Sequence, residues 1–395
     1  MRLRTVLFWA HLAAGATAGL VILLMCVTGV LLTYERQLYA WYDRGFHSNP
    51  VPAGATRLPI ADLLARVQAE APGVAPASVA VNAAADAPVT ITAGSRTLYV
   101  DAYSGRILGE TRAQGVRHFM SSVKAWHRWL AAEGDGRASA RAITGWSNLL
   151  FLFVVASGIY LWMPRVWSWQ RVKTVTLFNG RLRGKARDFN WHNVIGSWSA
   201  IPLFIVVFSA VPMSFPWANA ALYRAMGDQL PMAGRGEGAG RGEGAGRGES
   251  GTGAARAVVV DGIDQLLARA QQQERDWRTI SVRLPASPRA PLAFAIDRGN
   301  GGQPQLRSTL TLARSGERVS YENFSSQTSG RQARSILRFA HTGEVLGLAG
   351  QTIAGLATAG GSVLVYTGFA LAFRRLRAWM TRRAKAVVQD ARSAA

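Results

Sequence analysis

Apolar residues gather into four long runs, roughly residues 6–32, 143–162, 194–215 and 349–373. A helix needs about 20 residues to cross a hydrocarbon core of about 30 Å, and each run meets that length. The pattern predicts four transmembrane helices, within residues 1–34, 143–163, 191–216 and 336–375, the last including an entry segment. Between the first and second spans, and again between the third and fourth, lie polar stretches too soluble for lipid. Each opens with a period-3.6 amphipathic segment followed by short runs alternating with period two. The first set of strands is expected near residues 78–81, 89–92 and 97–101, the second near 279–284, 292–296 and 308–313, each set closing at a Ser-Gly turn (Ser104-Gly105 and Ser315-Gly316). The expected soluble parts are two small α+β domains, residues 55–112 and 217–335, each one helix against an antiparallel sheet. Residues 113–142 read as an amphipathic approach to the second span.

The two halves repeat one another. IADLLARVQ at residues 60–68 aligns without gaps on IDQLLARAQ at residues 263–271. In the spans, His11 is followed by Gly15 and Thr28, and His192 by Gly196 and Ser209, at the same spacings. Span two ends on Ser157-Gly158 and span four on Thr367-Gly368. The expected unit is span, soluble domain, span, written twice, the copies related by an axis along the membrane normal. One segment breaks the pattern: residues 233–255 are a Gly-Ala-Gly-Arg-Gly-Glu repeat with almost no apolar content, which reads as a disordered loop. Its glycines lack the flanking strand and helix of a phosphate site.

Charge adds direction. The net charge is +22, but the basic residues stand beside the spans. Arg2 and Arg4 precede the first; Arg165, Arg171, Lys173, Arg181, Arg183, Lys185 and Arg187 fill the loop at 164–190; Arg374, Arg375, Arg377, Arg382, Arg383 and Lys385 follow the fourth, most of them in a tail at 376–395. By the positive-inside rule these segments and both termini are cytoplasmic, and the two polar stretches lie on the far side. No nucleic-acid partner is expected; lipid is. The single cysteine, Cys26, lies inside the first span, so no disulfide framework and no cysteine-held metal is expected. The first span is about twice the length of a signal-peptide core and lacks a cleavage site, so it is expected to stay.

The candidate chemistry is in histidines. His11 and His192 sit at matching depths near the cytoplasmic ends of spans one and three, and His127 and His341 lie just before spans two and four. Ionisable residues inside a membrane are costly, and imidazole suits iron. Histidines facing one another across a pseudo-twofold axis would supply two axial ligands to haem, His11 with His192 and His127 with His341, with Gly15 and Gly196 leaving room for the macrocycle. Arg128 and Arg338 are placed for haem propionates, since guanidinium matches carboxylate geometry. The plain alternative is interfacial histidines reaching for water. His118 is a weaker candidate, an extra or substitute ligand for His127; His47 follows an aromatic belt. Tryptophans 9, 126, 129, 162, 167, 169, 191 and 217 flank the spans as interfacial anchors, Trp9 and Trp191 also near a haem edge. No catalytic residue set of the hydrolase or phosphate-transfer kinds is present.

The segments HRWL at 127–130, SGIYLWMPR at 157–165 and HTGEVLG at 341–347 resemble the signature segments of the PepSY-associated transmembrane proteins, iron-regulated bacterial inner-membrane proteins that include siderophore-linked ferric reductases. The resemblance covers the chain apart from the glycine-rich insert. It implies PepSY folds for the two far-side (periplasmic) domains, two b-type haems in the bundle, and His11, His127, His192 and His341 as ligands. Two positions depart from the pattern, the end of span four (residues 371–375), where a tryptophan is common, and Ala210, where glycine is usual. The implied activity is electron transfer from a cytoplasmic reductant or a membrane quinol to a periplasmic acceptor such as a ferric siderophore, held between the two domains with Arg112, Arg117, Tyr321 and Arg334 near its mouth. Two other classes compete: a haem-free PepSY regulator of a periplasmic peptidase, and a subunit for iron-chelate transport.

Overall fold

A computed structural model describes residues 3–47, 51, 54–164, 168–230, 262–285, 287 and 289–393. The glycine-rich repeat expected to be disordered, and Arg2, Arg165 and Trp167, lie outside the described residues. The chain divides into two compact units, residues 1–35, 119–221 and 337–395 in one, and 36–118 and 222–336 in the other.

The first unit is helical. Among the described residues, four helices are long and apolar enough to cross a membrane: α1 (Leu3–Leu32), α5 (Gly136–Trp162), α7 (Gly184–Ser214) and α11 (Gly347–Ser393), which carries the fourth span on through the basic tail. Packing runs around a ring, α1 against α5 and α11, and α7 against α5 and α11, so α1 and α7 face each other across a diagonal. Leu20, Trp198, Ile201, Leu356 and Tyr366 are exposed on the outside. Large apolar side chains turned outward are what a lipid-facing surface requires, because hydrocarbon exerts no pressure to bury them. Inside, Ala18, Ile22 and Cys26 of α1, Phe151 and Val155 of α5, Leu203 and Val207 of α7, and Ala357 of α11 form one apolar cluster. Small residues let the backbones close in: a Cβ on Gly361 would stand 3.0 Å from the Cys26 Sγ, and one on Gly360 2.6 Å from the Ser199 Oγ. This unit also holds a short helix, α6 (Trp169–Thr176), and the ends of α4 (Gln114–Trp129), α8 (Pro216–Ala225) and α10 (Ser329–His341).

The α6 carbonyls are taken up by the bundle. Trp162 Nε1 donates to Val175 O, Trp198 Nε1 to Thr176 O, and Asn190 Nδ2 to Thr174 O and Leu177 O. These satisfy the C-terminal groups that a helix leaves without internal partners.

The second unit is one antiparallel sheet with helices on it. Its strands are β1 (Ser78–Asn82), β2 (Val89–Ala93), β3 (Arg96–Val100), β4 (Ile107–Glu110), β5 (Thr279–Arg283), β6 (Leu292–Asp297), β7 (Arg307–Leu312) and β8 (Arg318–Asn323), in the order β4-β3-β2-β1-β5-β6-β7-β8. This corrects two expectations. The strands of the two halves do not form separate sheets: β1 pairs with β5, with Ala80 opposite Ser281 at the middle of the seam, so a cleft between two domains is replaced by a continuous ladder. Each half also has a fourth strand beyond its Ser-Gly turn. The missed strands, β4 and β8, are the two edges and show no buried alternation, so they carry no period-two signal.

On one face Val79, Val81, Ile91, Leu98, Val100, Ile280, Val282, Phe294, Ile296 and Leu310 are buried, covered by α3 (Ile60–Glu70) and α9 (Ile263–Gln273) through Leu63, Val67, Leu266 and Ala270. The two helices are the gapless repeat seen in sequence. Asp264 of α9 accepts from the backbone of Ile60 (2.5 Å) and Ala61 (3.2 Å), so a carboxylate meets the positive N-terminus of α3. Arg66 of α3 donates to Ser104 O, and Arg269, its counterpart on α9, to Gly316 O; each ties its helix to the Ser-Gly turn. Gly105 and Gly316 both have positive φ, which explains glycine there. Near the start of the chain's second unit, α2 (Glu35–Asp43) ends in a buried carboxylate: Asp43 accepts from Tyr99 Oη, Thr111 Oγ1 and the Arg112 amide at 2.7–2.9 Å.

Candidate functional site

The helix ring decides where the histidines fall. His11 lies on α1 and His192 on α7, the two helices across the diagonal, and the two rings are close enough to interact electrostatically. His127, near the end of α4, and His341, the last residue of α10, are brought together directly, with ring centroids 6.2 Å apart and planes 56° apart. His127 reaches Thr28 of α1, which is 17 residues beyond His11, about 25 Å along a helix rising 1.5 Å per residue. The pairs therefore occupy two levels of the bundle, with the apolar cluster around Ile22, Phe151 and Leu203 between them.

Every one of these rings is held through Nδ1. His11 Nδ1 is 3.0 Å from Ser157 Oγ on α5. His192 Nδ1 is 2.9 Å from Thr367 Oγ1 on α11. His127 Nδ1 is 2.9 Å from Thr28 Oγ1, and His341 Nδ1 is 2.8 Å from the Val206 carbonyl oxygen on α7. The residue after each anchor on α5 and α11 is a glycine against the ring: a Cβ on Gly158 would lie 3.4 Å from His11 Cε1, and one on Gly368 3.6 Å from His192 Cε1. Gly29, next to Thr28, stands in the same relation to His127 at 3.6 Å. One turn beyond His11, a Cβ on Gly15 would meet nothing within 4 Å, and one on Gly196 would meet the Leu364 side chain at 3.7 Å. With Nδ1 engaged, Nε2 is the nitrogen left to bind something.

The polar residues around the two levels differ. Near the His11–His192 level, the buried Asp188 sits one turn before His192 and pairs with Arg187 and Arg374, each at 2.9 Å. Arg375 stacks over Phe8 and Trp9 at 4.9 and 4.6 Å. Arg4 donates to the carbonyls of Leu161 and Met163. Near the His127–His341 level, Arg128 lies over the Trp129 ring at 4.5 Å and within electrostatic reach of Arg141 and Arg338. Arg338 packs over Phe339. The structure thus brings Arg128 and Arg338, the two propionate candidates, near one another at this level and adds Arg141, which does not stand out from its sequence position.

Of the weaker candidates, His118 is exposed on α4 and is not one of the facing rings. His47 ends a short turn after α2 and is likewise exposed. Arg112 and Arg117 serve the second unit's own structure: the Arg112 guanidinium covers Phe46, and that of Arg117 covers Tyr39. Tyr321 donates to Glu274, and burial together with that bond raises its hydroxyl pKa. Among the described residues no group of three or more His, Cys, Asp or Glu converges on one point; the histidines come in twos.

The hydroxyls of Ser157, Thr367 and Thr28, which the structure sets against three of the rings, are residues the sequence analysis does not single out as part of the site. Their signal was present, since Ser157-Gly158 and Thr367-Gly368 repeat between spans two and four, and Thr28 matches Ser209. What was missing was the packing that sets each beside a ring. No curated protein matches the chain. A model of the PepSY-associated TM region matches residues 8–375, and the chain, a multi-pass membrane protein, belongs to that family.

Proposed function

We propose that this protein is a di-haem b electron-transfer protein of the bacterial inner membrane and acts as a ferric-siderophore reductase. The observation that carries the reading is the meeting of His127 and His341. Two imidazoles on one iron have their ring centres about 6 Å apart, from two metal–nitrogen bonds of about 2 Å and about 1 Å from each nitrogen to its ring centre. The two rings stand 6.2 Å apart. Two nitrogens, without a third protein ligand, suit a metal that brings its own four equatorial donors. The fit extends to the other level, where His11 and His192 are anchored in the same way, and where Gly15 leaves open space one turn away.

Bound there, haem supplies one-electron transfer at two depths of the membrane. The chain's own residues do the rest. The four histidines would hold and orient it, and Arg128, Arg338 and Arg141 would offer cations to its carboxylates at one level. The packed cluster between the levels keeps water out of the path. In this reading both termini are cytoplasmic, the sheet unit is periplasmic, and the halves are a duplicated PepSY-bearing unit. The matching tethers of Arg66 and Arg269 support the duplication. Electrons come from a cytoplasmic reductant or quinol. The acceptor is a ferric chelate, because Fe(III) prefers hard oxygen donors more strongly than Fe(II) does, and reduction loosens it.

An absorption spectrum of the purified protein tests the first half: a Soret band with sharp α-bands on reduction, at two haems per chain, is expected. A featureless visible spectrum returns the protein to the regulator or transporter classes. For the second half, the reduced protein is mixed anaerobically with ferric chelates and a ferrous trap. Reoxidation matched by trapped Fe(II) is expected; haems that stay reduced with every chelate would remove the iron claim.

A further inference from the structure

We propose that Ser157, Thr367 and Thr28 are positioning residues that fix which ring nitrogen of His11, His192 and His127 carries the proton, as the Val206 carbonyl does for His341, so that all four present a bare Nε2. The proposal rests on the haem reading above and concerns how the chain prepares its ligands.

A hydroxyl has one proton to give. Ser157 Oγ gives its proton to the Phe153 carbonyl, 2.7 Å away on the preceding turn. Thr367 gives its own to Val363 O at 2.8 Å, and Thr28 to Leu24 O at 2.7 Å. In all three the proton is committed to the carbonyl four residues back, a habit of helical Ser and Thr where water is scarce. Towards the histidine the oxygen has only lone pairs to offer. Nδ1 must therefore donate, and a neutral imidazole that carries its proton on Nδ1 has none on Nε2. At His341 the acceptor is a carbonyl, which has no proton at all, and the sense is the same.

Four rings of four are set in one direction. If these contacts served only to satisfy buried polar groups, a hydroxyl free to donate into Nδ1 would do as well, and the sense would vary. Back-bonding alone does not create the arrangement either: Thr17, Thr352 and Thr358 bond the carbonyl four residues back without meeting a histidine. The three that do meet one include the repeat-matched pair, Ser157 and Thr367. A histidine that donates from one nitrogen is a more basic ligand at the other, and removing such an outer partner typically costs 10- to 100-fold in metal affinity.

The test uses the full-length protein in detergent, with Thr367→Val, Ser157→Ala and Thr28→Val made singly beside Thr367→Ser and Thr28→Ser. Haem content is measured by spectrum and the midpoint potential of each haem by redox titration. Thr367→Val and Ser157→Ala are expected to weaken haem at the His11–His192 level by about 10- to 100-fold and to raise its midpoint potential, since a less basic imidazole favours Fe(III) less. The other haem should be untouched. Thr28→Val should act at the His127–His341 level alone, and both serine variants should match the wild type. Unchanged occupancy and potentials in the three hydroxyl-free variants overturn the proposal. So do serine variants as impaired as the valines, which would point to packing. The haem at the unaltered level reports folding; where Thr367→Val loses both, the smaller Thr367→Ala decides by the same two readouts. Wild-type protein without haem overturns both this proposal and the function it rests on, whereas haem-loaded wild type with unmoved variants overturns this one alone.

Discussion

If the protein carries the two proposed haems, replacing Gly343 by alanine should remove haem from one level and leave the other. Gly343 stands two residues after His341 and has φ of 74°. An alanine held in the left-handed region costs about 1–2 kcal/mol. Space is the larger problem. The new methyl would stand 2.6 Å from the Gly350 carbonyl carbon and 2.8 Å from the Gln351 nitrogen, both backbone atoms of the first turn of α11. Neither can swing aside as a side chain would, so the 343–350 loop must open, at a further cost of about 1–3 kcal/mol for overpacking. The His341–Val206 hydrogen bond, at 2.8 Å, has little slack before it is lost. Gly343→Ala is therefore expected to lose about 2–5 kcal/mol of stability, together with the haem of the His127–His341 pair. The assay is haem per chain and the reduced-minus-oxidised spectrum, beside a thermal melt. Gly115→Ala is the control: it lies in the first turn of α4, has φ below zero, and its methyl would meet nothing within 4 Å. It should be neutral or stabilise by up to about 1 kcal/mol. A Gly343→Ala protein with both haems and a melt like that of the control would refute the reasoning.

Asp43→Ala should destabilise the sheet unit by about 3 kcal/mol or more, because it leaves the Tyr99 and Thr111 hydroxyls and the Arg112 amide without their buried acceptor; faster hydrogen exchange at Arg112 is the readout, and unchanged protection would count against it. Burial and the Asp43 carboxylate both raise the Tyr99 pKa, so this contribution is present below pH of about 10 and lost as the pH climbs towards the raised value; Tyr99→Phe should flatten that alkaline decline in a melt series. Leu63→Ala, at a side chain with no exposed surface, should cost about 2–5 kcal/mol while leaving the haem spectrum unaltered, and a lost Soret band would show that the sheet unit's core supports the haem sites. A reporter fused after Gly180 should give a cytoplasmic signal; an outward signal would reverse the proposed orientation.

How much of this was legible in the sequence differed between the two units for a physical reason. Lipid enforces its rule at every residue of a span, so 20-residue apolar stretches declare themselves, and four helices long enough to cross were found where four runs were read. The histidine pairing was legible through the repeat. A ring in span one and a ring at the same depth of span three must lie near a common axis if the halves are alike, and α1 and α7 do face across the bundle. The soluble strands were legible only where one face is buried. Val79 and Val81, or Leu292, Phe294 and Ile296, alternate with small or polar residues because the sheet has a core on one side. The edge strand Ile107–Glu110 has no such contrast and was missed, as was Arg318–Asn323.

The joining of the halves was hidden for a different reason, and it bears on what the far side can do. Nothing in the alternation of β1 or β5 says which neighbour its backbone will take, since the buried face is the same whether the strand is an edge or a centre. Two four-stranded sheets of 20 or so residues would each expose an edge of unpaired amides and carbonyls, a standing template for aggregation. Pairing β1 with β5 removes two of the four edges and leaves only β4 and β8, and the seam is built from Val79 against Val282 and Val81 against Ile280, apolar pairs that continue the core across the join. Asp264, capping the neighbouring half's helix, then fixes α3 to α9 at the same junction. The two halves form one continuous sheet, so on the proposed orientation a periplasmic acceptor would meet a single surface and not a pair of domains that could close on it like jaws. Domain closure as a gate for reduction is thereby disfavoured, and a cysteine pair placed across the seam at Ala80 and Ser281, oxidised to a disulfide, should leave chelate-driven reoxidation of the haems unchanged. A rate that fell on oxidation and recovered on reduction would show that the halves must separate after all.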